Sequence, residues 1–503
     1  MDGCRVNFEP PDSTPALTMR FFITKAARTL APPAAALCLV LALSGCAQTP
    51  RPMTLANPAV ATAAAPVIET AGTTETVLAN GMKVLVRPDR RAPTVAHMVW
   101  YKAGSIDEVN GRTGVAHVLE HMMFKGTKTI PPGEFSKRVA AMGGRENAFT
   151  SRDYTGYFQQ IHSSRLAEVM ALESDRMANL VLSKEEFDKE IKVVMEERRL
   201  RTDDRATSVL YEQLMATAFT ASPYRVPIVG WMSDLQSMTH EDAQAWYDAW
   251  YSPSNAVLVV AGDVDPKAVI ALAEQTYGKV PARALPPRKP QFEPQQQGIR
   301  RIQVKAPAEN PYVLMAFKVP GLTTVQGDRE PYALEVLSSV LDGGDSARFT
   351  RNIVRGSRVA NAADAGYSMT QRGPAMFTLG GVPADGRSTA EVEQAMRAEI
   401  ARIATEGVPG AELDRAKVQY VSSKVYKRDS IFAQAMEIAS LEMVGLSHRD
   451  ADLMLEKIRS VTSDEVKAVA AKYFGDDGLS VGTLLPQPID PNKPAARPAA
   501  TRH

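Results

Sequence analysis

The sequence predicts an α+β fold in two homologous domains. Three observations support this: a hairpin signal near the front of the folded region, separate helical periodicities behind it, and a second half that repeats the first. A doubly wound parallel sheet would alternate strand and helix throughout, and this chain does not. Thr76 to Val86 places apolar residues on both sides of Asn80-Gly81, which predicts a hairpin with a two-residue turn. Thr94–Tyr101 reads as a further strand. Helical periodicity occupies 115–124, 165–182 and 184–200, and an apolar strand at 256–261 follows the turn Tyr251-Ser252-Pro253-Ser254-Asn255.

From Ala284 the chain reads ALPPRKPQFEPQQQ, where prolines and glutamines leave no apolar face to bury, so 284–298 is expected to be a linker. Beyond it, 302–321 parallels 84–104, with Pro311 facing Pro93. Met238 onward parallels Val461 onward: each is a polar helix start, an amphipathic helix closing at Tyr251 or Phe474, a turn and an apolar strand. The expected domains are therefore 73–283 and 299–485, with 486–503 a disordered, proline-rich tail.

The 503 residues carry 58 Lys plus Arg against 57 Asp plus Glu, a formal charge of +1, with 45% hydrophobic and 23% charged residues. Such balance excludes a disordered, collagenous or polytopic membrane chain and gives no electrostatic footprint for nucleic acid. The 3 cysteines are Cys4, Cys38 and Cys46, all ahead of the expected domains. The folded part therefore has no disulfide, thiolate metal ligand or cysteine nucleophile.

Basic Arg20, Lys25 and Arg28 lead into an apolar run over 34–43, too short to span a bilayer, which makes 1–46 an export signal with Met19 as its expected start. Leu43-Ser44-Gly45-Cys46 resembles a bacterial lipoprotein box, so Cys46 is the expected lipid-bearing residue. Ala47 after it resembles Gram-negative sorting to the outer membrane, facing the periplasm; the alternative is a soluble periplasmic or secreted protein. Residues 47–72, rich in Ala, Pro and Thr, read as a flexible tether.

The chemistry is concentrated in Gly114-Val115-Ala116-His117-Val118-Leu119-Glu120-His121. His117 and His121 stand four apart, so on a helix their rings share a face about 5–6 Å apart and both reach one cation. Glu120 lies beside that face, free to take a proton from water at the metal. The order H-x-x-E-H is the inverzincin pattern. A catalytic zinc also wants a third ligand, commonly a carboxylate, and an open position for water. Glu190, Glu196 and Glu197 offer it on the next acidic helix, where Glu190 and Glu197 are seven apart and share a face. Glu197 then suits a ligand and Glu190 an acceptor behind an imidazole. Lys189, Lys192, Arg198 and Arg199 surround these acids, so a solvated charged face fits the same pattern, and periodicity does not choose between the two.

The stretch from Gly111 through Lys125, the helix ending Val193-Val194-Met195-Glu196-Glu197, and Asn147-Ala148-Phe149-Thr150-Ser151 together resemble the pitrilysin/insulinase-like metallopeptidases over about residues 73 to 484. The resemblance implies His117, His121 and Glu197 as ligands of one zinc per chain. It makes Glu120 the catalytic base and Glu190 the supporting acid, and prefers Glu197 over Glu196. It also implies α/β-roll domains, each an antiparallel-rich sheet with helices packed on it, forming one half of a clam-shaped peptidase that closes over a peptide substrate. Asn147, Ala148 and Phe149 would lie on the edge strand that binds substrate backbone. In the second domain Glu335, Ser338 and Ser339 stand opposite His117, Glu120 and His121, so that domain is expected to lack metal. The family also carries an Arg and a Tyr that bind the substrate carbonyl; here Val354 and Asn361 occupy those positions, with Arg355, Arg358 and Tyr367 nearby at the wrong spacing. A homologous subunit, as homodimer or heterodimer, is expected to supply them. The alternative is a non-catalytic assembly or scaffolding subunit at the outer membrane.

Overall fold

The computed structural model describes residues 67–70 and 72–490. The expected export signal with Cys46, the expected tether up to residue 66 and the expected tail beyond 490 lie outside the described residues. Twelve strands form two sheets. The first contains β1 (Ile68–Thr70), β2 (Thr73–Val77), β3 (Lys83–Pro88), β4 (Thr94–Tyr101), β5 (Arg145–Thr150), β6 (Thr155–His162) and β7 (Ala256–Gly262), in the order β1-β2-β3-β7-β4-β6-β5. The second contains β8 (Arg300–Pro307), β9 (Tyr312–Val319), β10 (Ala360–Gly366), β11 (Ala375–Pro383) and β12 (Leu479–Gln487), in the order β10-β11-β9-β12-β8.

The second order is the last five strands of the first, read from the opposite end, with pairing preserved. β3 and β7 are parallel, as are β8 and β12, and the remaining neighbours within these five-strand cores are antiparallel. The α+β class and the two homologous sheets with packed helices are thus as expected. Two ranges need correction. Residues 68–70, placed in the tether, pair as a strand with β2, and β12 runs two residues into the expected tail. Ile68 and Thr70 are β-branched and suit a strand, and the ladder with β2 offsets the cost of ordering this segment.

The hairpin at Asn80-Gly81 forms, but with a three-residue turn. Leu78 N–H donates to Met82 O at 2.9 Å and Gly81 N–H to Leu78 O at 2.8 Å. Only Gly81 takes a left-handed φ, +87°. Asn80 stays outside that region because its amide is committed elsewhere, donating to Tyr277 O and Val280 O at 2.8 and 2.9 Å. That tertiary pull favours a type I turn with a glycine bulge over the two-residue alternative.

Both faces of each sheet are covered, and the outer covers are exchanged. The inner face of the first sheet, including Val84, Val86 and Val99, packs on the helices Val115–Met122, Leu166–Asn179 and His240–Trp250. Its outer face, with Leu85, Met98, Trp100 and Val259, takes Ala435, Ile438 and Ala439 of the helix Ile431–Met443, which comes from the second half of the chain. Reciprocally, Leu210, Leu214 and Met215 of the helix Ala206–Ala218 pack on Val304, Leu314, Ala316 and Leu484 of the second sheet. Sheets buried on both faces explain the nearly continuous apolar runs of β4, β7 and β9.

Candidate metal centre

The histidine helix Val115–Met122 is entirely buried and is fixed at its amino end. Gly114 caps it at φ +86°, where a Cβ would stand 2.5 Å from Val229 O, so only glycine permits the close approach of residues 229–230. Glu108 satisfies the helix's first donors: its carboxylate accepts from Gly114 N at 2.8 Å and Ala116 N at 2.9 Å. Burial pushes Glu108 up to about 8, against the two backbone bonds. The acidic helix Lys184–Arg198 starts on Ser183, whose hydroxyl accepts from Glu186 N. It ends in a widened turn, Arg199–Asp203, two residues before the expected end at Leu200.

These two helices bring the imidazoles and one carboxylate together. Nε2 of His117 lies 3.5 Å and Nε2 of His121 3.3 Å from the same Glu197 oxygen, Oε2. One ligand atom from each of His117, His121 and Glu197 lies within 4.8 Å of the others, and all three side chains are buried or nearly so. Glu196 is not part of this group; it is exposed and pairs with Arg199 at 2.9 Å. Glu190 sits behind His121, its Oε1 2.9 Å from Nδ1, and its other oxygen is held by Lys125 at 2.5 Å. Donation by Nδ1–H to Glu190 turns Nε2 toward Glu197, to which it donates when protonated and beside which it would present its lone pair to a metal.

The electrostatics follow from this packing. Burial alone would raise Glu197, but the His121 hydrogen bond, both imidazoles and Arg201 hold it at about 2. Arg201, one turn further along, reaches back to Oε1 at 2.5 Å. Burial would lower His121, yet Glu190 and Glu197 raise it to about 9. Glu120 is pushed up to about 6 by burial, opposed by the Thr150 hydroxyl that donates to its Oε2 at 2.5 Å. Two imidazoles and a carboxylate are the donor set of a catalytic zinc site, and their spacing fits a single ion. His117, His121 and Glu197 can therefore hold zinc, with Glu120 beside the ion's place without entering the ligand set.

His117 and Glu120 open onto a cleft of about 470 Å³. Asn147, Ala148 and Phe149 line it from β5, which is the edge of the first sheet. Thr150, Arg201 and Lys125 belong to the site but were given no role by sequence. Thr150 lies within the Asn147–Ser151 motif and Lys125 closes the Gly111–Lys125 motif, whereas Arg201 carries no signal beyond a one-turn offset from an acid. The corresponding place in the second domain is a separate cavity of about 370 Å³ lined by Glu335, Tyr420 and Lys424. Ser338 and Ser339 spend their hydroxyls on Ala365 O and Glu335 O. His117, His121 and Glu197 form the one metal-competent group among the described residues. Val354 sits in the widened turn Phe349–Gly356, and Asn361 donates to Pro383 O. Neither these two nor Arg355, Arg358 and Tyr367 line the cleft.

A family model described as insulinase, peptidase family M16, matches residues 83–230, and one described as peptidase M16 inactive domain matches 237–420. The chain is 30% identical to the zinc protease PqqE of Helicobacter pylori, covering 81% of this chain and 92% of that protein. A crystal structure of a protease from Helicobacter pylori superposes with a TM-score of 0.78 at 28% identity, over 82% of this chain and 99% of that one. The periplasmic protease PqqL from Escherichia coli shares the fold at a TM-score of 0.70 and 20% identity, over 85% of this chain but 50% of that one.

Proposed function

We propose a reaction from one premise: this chain belongs to the insulinase family, peptidase family M16. On that premise it acts as a zinc-dependent endopeptidase that hydrolyses peptides or unfolded polypeptides. The observation that carries this is the convergence of His117, His121 and Glu197, with Glu120 opening onto the same cleft as His117. When bound, zinc supplies Lewis acidity, lowering the pKa of water and polarising a carbonyl. Glu120 takes the proton of the attacking water and hands it to the departing amine, while Thr150 aims the carboxylate. Glu190 orients His121 through Nδ1. The free edge of β5 at Asn147, Ala148 and Phe149 offers backbone groups to an extended substrate.

Val354 and Asn361 leave the carbonyl-binding Arg and Tyr unsupplied, so a homologous subunit, a second copy or a divergent one, completes the site. Support comes from the chain matching half of the PqqL chain's length. The missing pair also favours a second reading, a non-catalytic assembly subunit. We further propose domains at 68–283 and 299–487 joined by 284–298, and an exported protein anchored at the outer membrane through Cys46. A change of Cys46→Ala should then release the protein from membranes into the soluble periplasmic fraction.

The test is cleavage of internally quenched peptides by the zinc-loaded chain, alone and with a coexpressed homologous subunit. Glu120→Gln should bind zinc like the wild type and lose at least about 100-fold in turnover, the typical scale of a general base. Wild-type turnover in that variant would refute Glu120 as the base, and no chelator-sensitive cleavage under either condition would leave the assembly role.

A further inference from the structure

The wall of the cleft opposite the histidine helix is cationic in a way the hydrolytic machinery does not use. Three arginines line it: Arg152, Arg201 and Arg225. Arg201 is committed to Glu197 at 2.5 Å. Glu212, an acid of the same wall, is committed to Arg198, which reaches both its oxygens at 2.8 Å. Arg152 and Arg225 form no ion pair among the described residues. Arg225 donates only to a backbone oxygen, Thr220 O, at 3.3 Å.

Arg152 is held for recognition. Its guanidinium lies 5.9 Å from the ring centre of Tyr211 and 5.5 Å from that of Tyr224, and its Nη2 donates to the Tyr211 hydroxyl at 3.2 Å. The two rings and the Tyr211 hydroxyl hold the guanidinium in place at the cleft. Its Nε is buried with no hydrogen-bond partner. Tyr211, accepting from Arg152, keeps its own proton to donate into the cleft. Among the described residues no carboxylate lies within ion-pair distance of Arg152 although the residue lines the cleft, and an anion bound there would supply the missing countercharge.

Resting on the peptidase reading above, we propose that Arg152 and Arg225, aided by the Tyr211 hydroxyl, form a carboxylate subsite beside the scissile bond. The enzyme would then prefer substrates presenting an acidic side chain or a free C-terminal carboxylate close to the cleavage point.

The test uses the zinc-loaded full chain, with a homologous subunit where turnover requires one, and a quenched peptide series. Each position near the cleaved bond is scanned as Glu, Gln and Lys, and each peptide is made with a free acid or an amide at its C-terminus. One position, or the free acid, should raise kcat/KM by about tenfold over its neutral counterpart, the scale of a charge-assisted hydrogen bond. A side-chain effect identifies an internal acidic residue as the ligand, and an acid-over-amide effect identifies the chain end. Arg225→Gln and Arg152→Gln should each erase the preference, read within each variant as the ratio of kcat/KM for the acidic peptide to that for its neutral counterpart, and Arg152→Lys, which keeps charge but loses the fork, should restore only part of it. Equal rates for Glu and Gln everywhere, and for acid and amide, with chelator-sensitive cleavage intact, would overturn the subsite and leave the peptidase standing. If nothing is cleaved, fluorescence anisotropy of the same peptides on Glu120→Gln decides: binding of acidic peptides no tighter than neutral ones overturns the subsite independently of turnover.

Discussion

Glu120 and Glu197 are carboxylates of one site whose proton affinities are driven apart, to about 6 for the first and about 2 for the second. Pairs driven apart in this way divide the labour between proton transfer and fixed charge. The same surroundings raise His121 to about 9, so near neutral pH the metal-free chain carries a proton on that imidazole. Zinc must displace it, because only a neutral imidazole is a ligand. Calorimetric titration of the apo-protein with zinc at pH 7 should therefore show buffer-dependent heats corresponding to about one released proton. Glu190→Gln, which weakens the acceptor behind His121, should lower zinc affinity by about 10–100-fold, whereas Glu196→Gln, on the exposed side, should leave it unchanged. Of these residues, the histidines and Glu120 were legible from a four-residue spacing. The resemblance preferred Glu197 over Glu196, while periodicity left open whether the acidic helix end meets a metal or solvent; in the fold Glu197 faces the imidazoles and Glu196 is exposed.

At the level of elements, the helix Ile431–Met443 shows how a helix from one half is locked to the other half's sheet. Glu442 near its end accepts from Lys83 of β3 at 2.9 Å and pairs with His448 at 2.8 Å. Burial opposes the charge, but the His448 and Lys83 bonds hold Glu442 at about 2. A carboxyl whose folded value lies below its unfolded value of about 4.5 stabilises fully above that pH and loses the contribution as pH falls toward about 2. The expected size is of order 2 kcal/mol. Thermal unfolding should accordingly show a fall in Tm between pH 5 and about 2 that is shallower in Glu442→Gln, with the variant less stable than the wild type only above the window. Helices and strands themselves were largely readable, since caps such as Ser183 and runs such as Thr94–Tyr101 are local signals. The three-residue turn at Asn80 was not, because its cause is a pair of carbonyls some 200 residues away.

For the whole molecule, the exchanged covers matter most. Each sheet's outer face is closed by a helix from the other half, with Trp100 and Met98 beneath Ala435 and Ala439 on one side and Leu314 beneath Leu210 and Leu214 on the other. Arg372 adds a polar clasp, donating to both oxygens of Asp107 at 2.8 Å and to Asp153 O at 2.9 Å. Residues 73–283 expressed alone should therefore expose an apolar sheet face, bind a hydrophobic dye and aggregate, while coexpressed 284–490 should restore solubility and zinc binding. A soluble, dye-silent fragment with a cooperative melt would show that the halves fold independently.

The sequence by itself determined the class of fold, the duplication and the two imidazoles with Glu120 beside them, because each rests on neighbours in the chain: a period of two or four residues, a cap, a repeated order of elements. Only the tertiary structure decided that the acidic helix turns Glu197 to the imidazoles and not to solvent, that Thr150 bonds Glu120, and that each half lends the other a helix. These depend on contacts between segments 30 to 360 residues apart, where the energy lies in burial and in paired charges that no local pattern encodes.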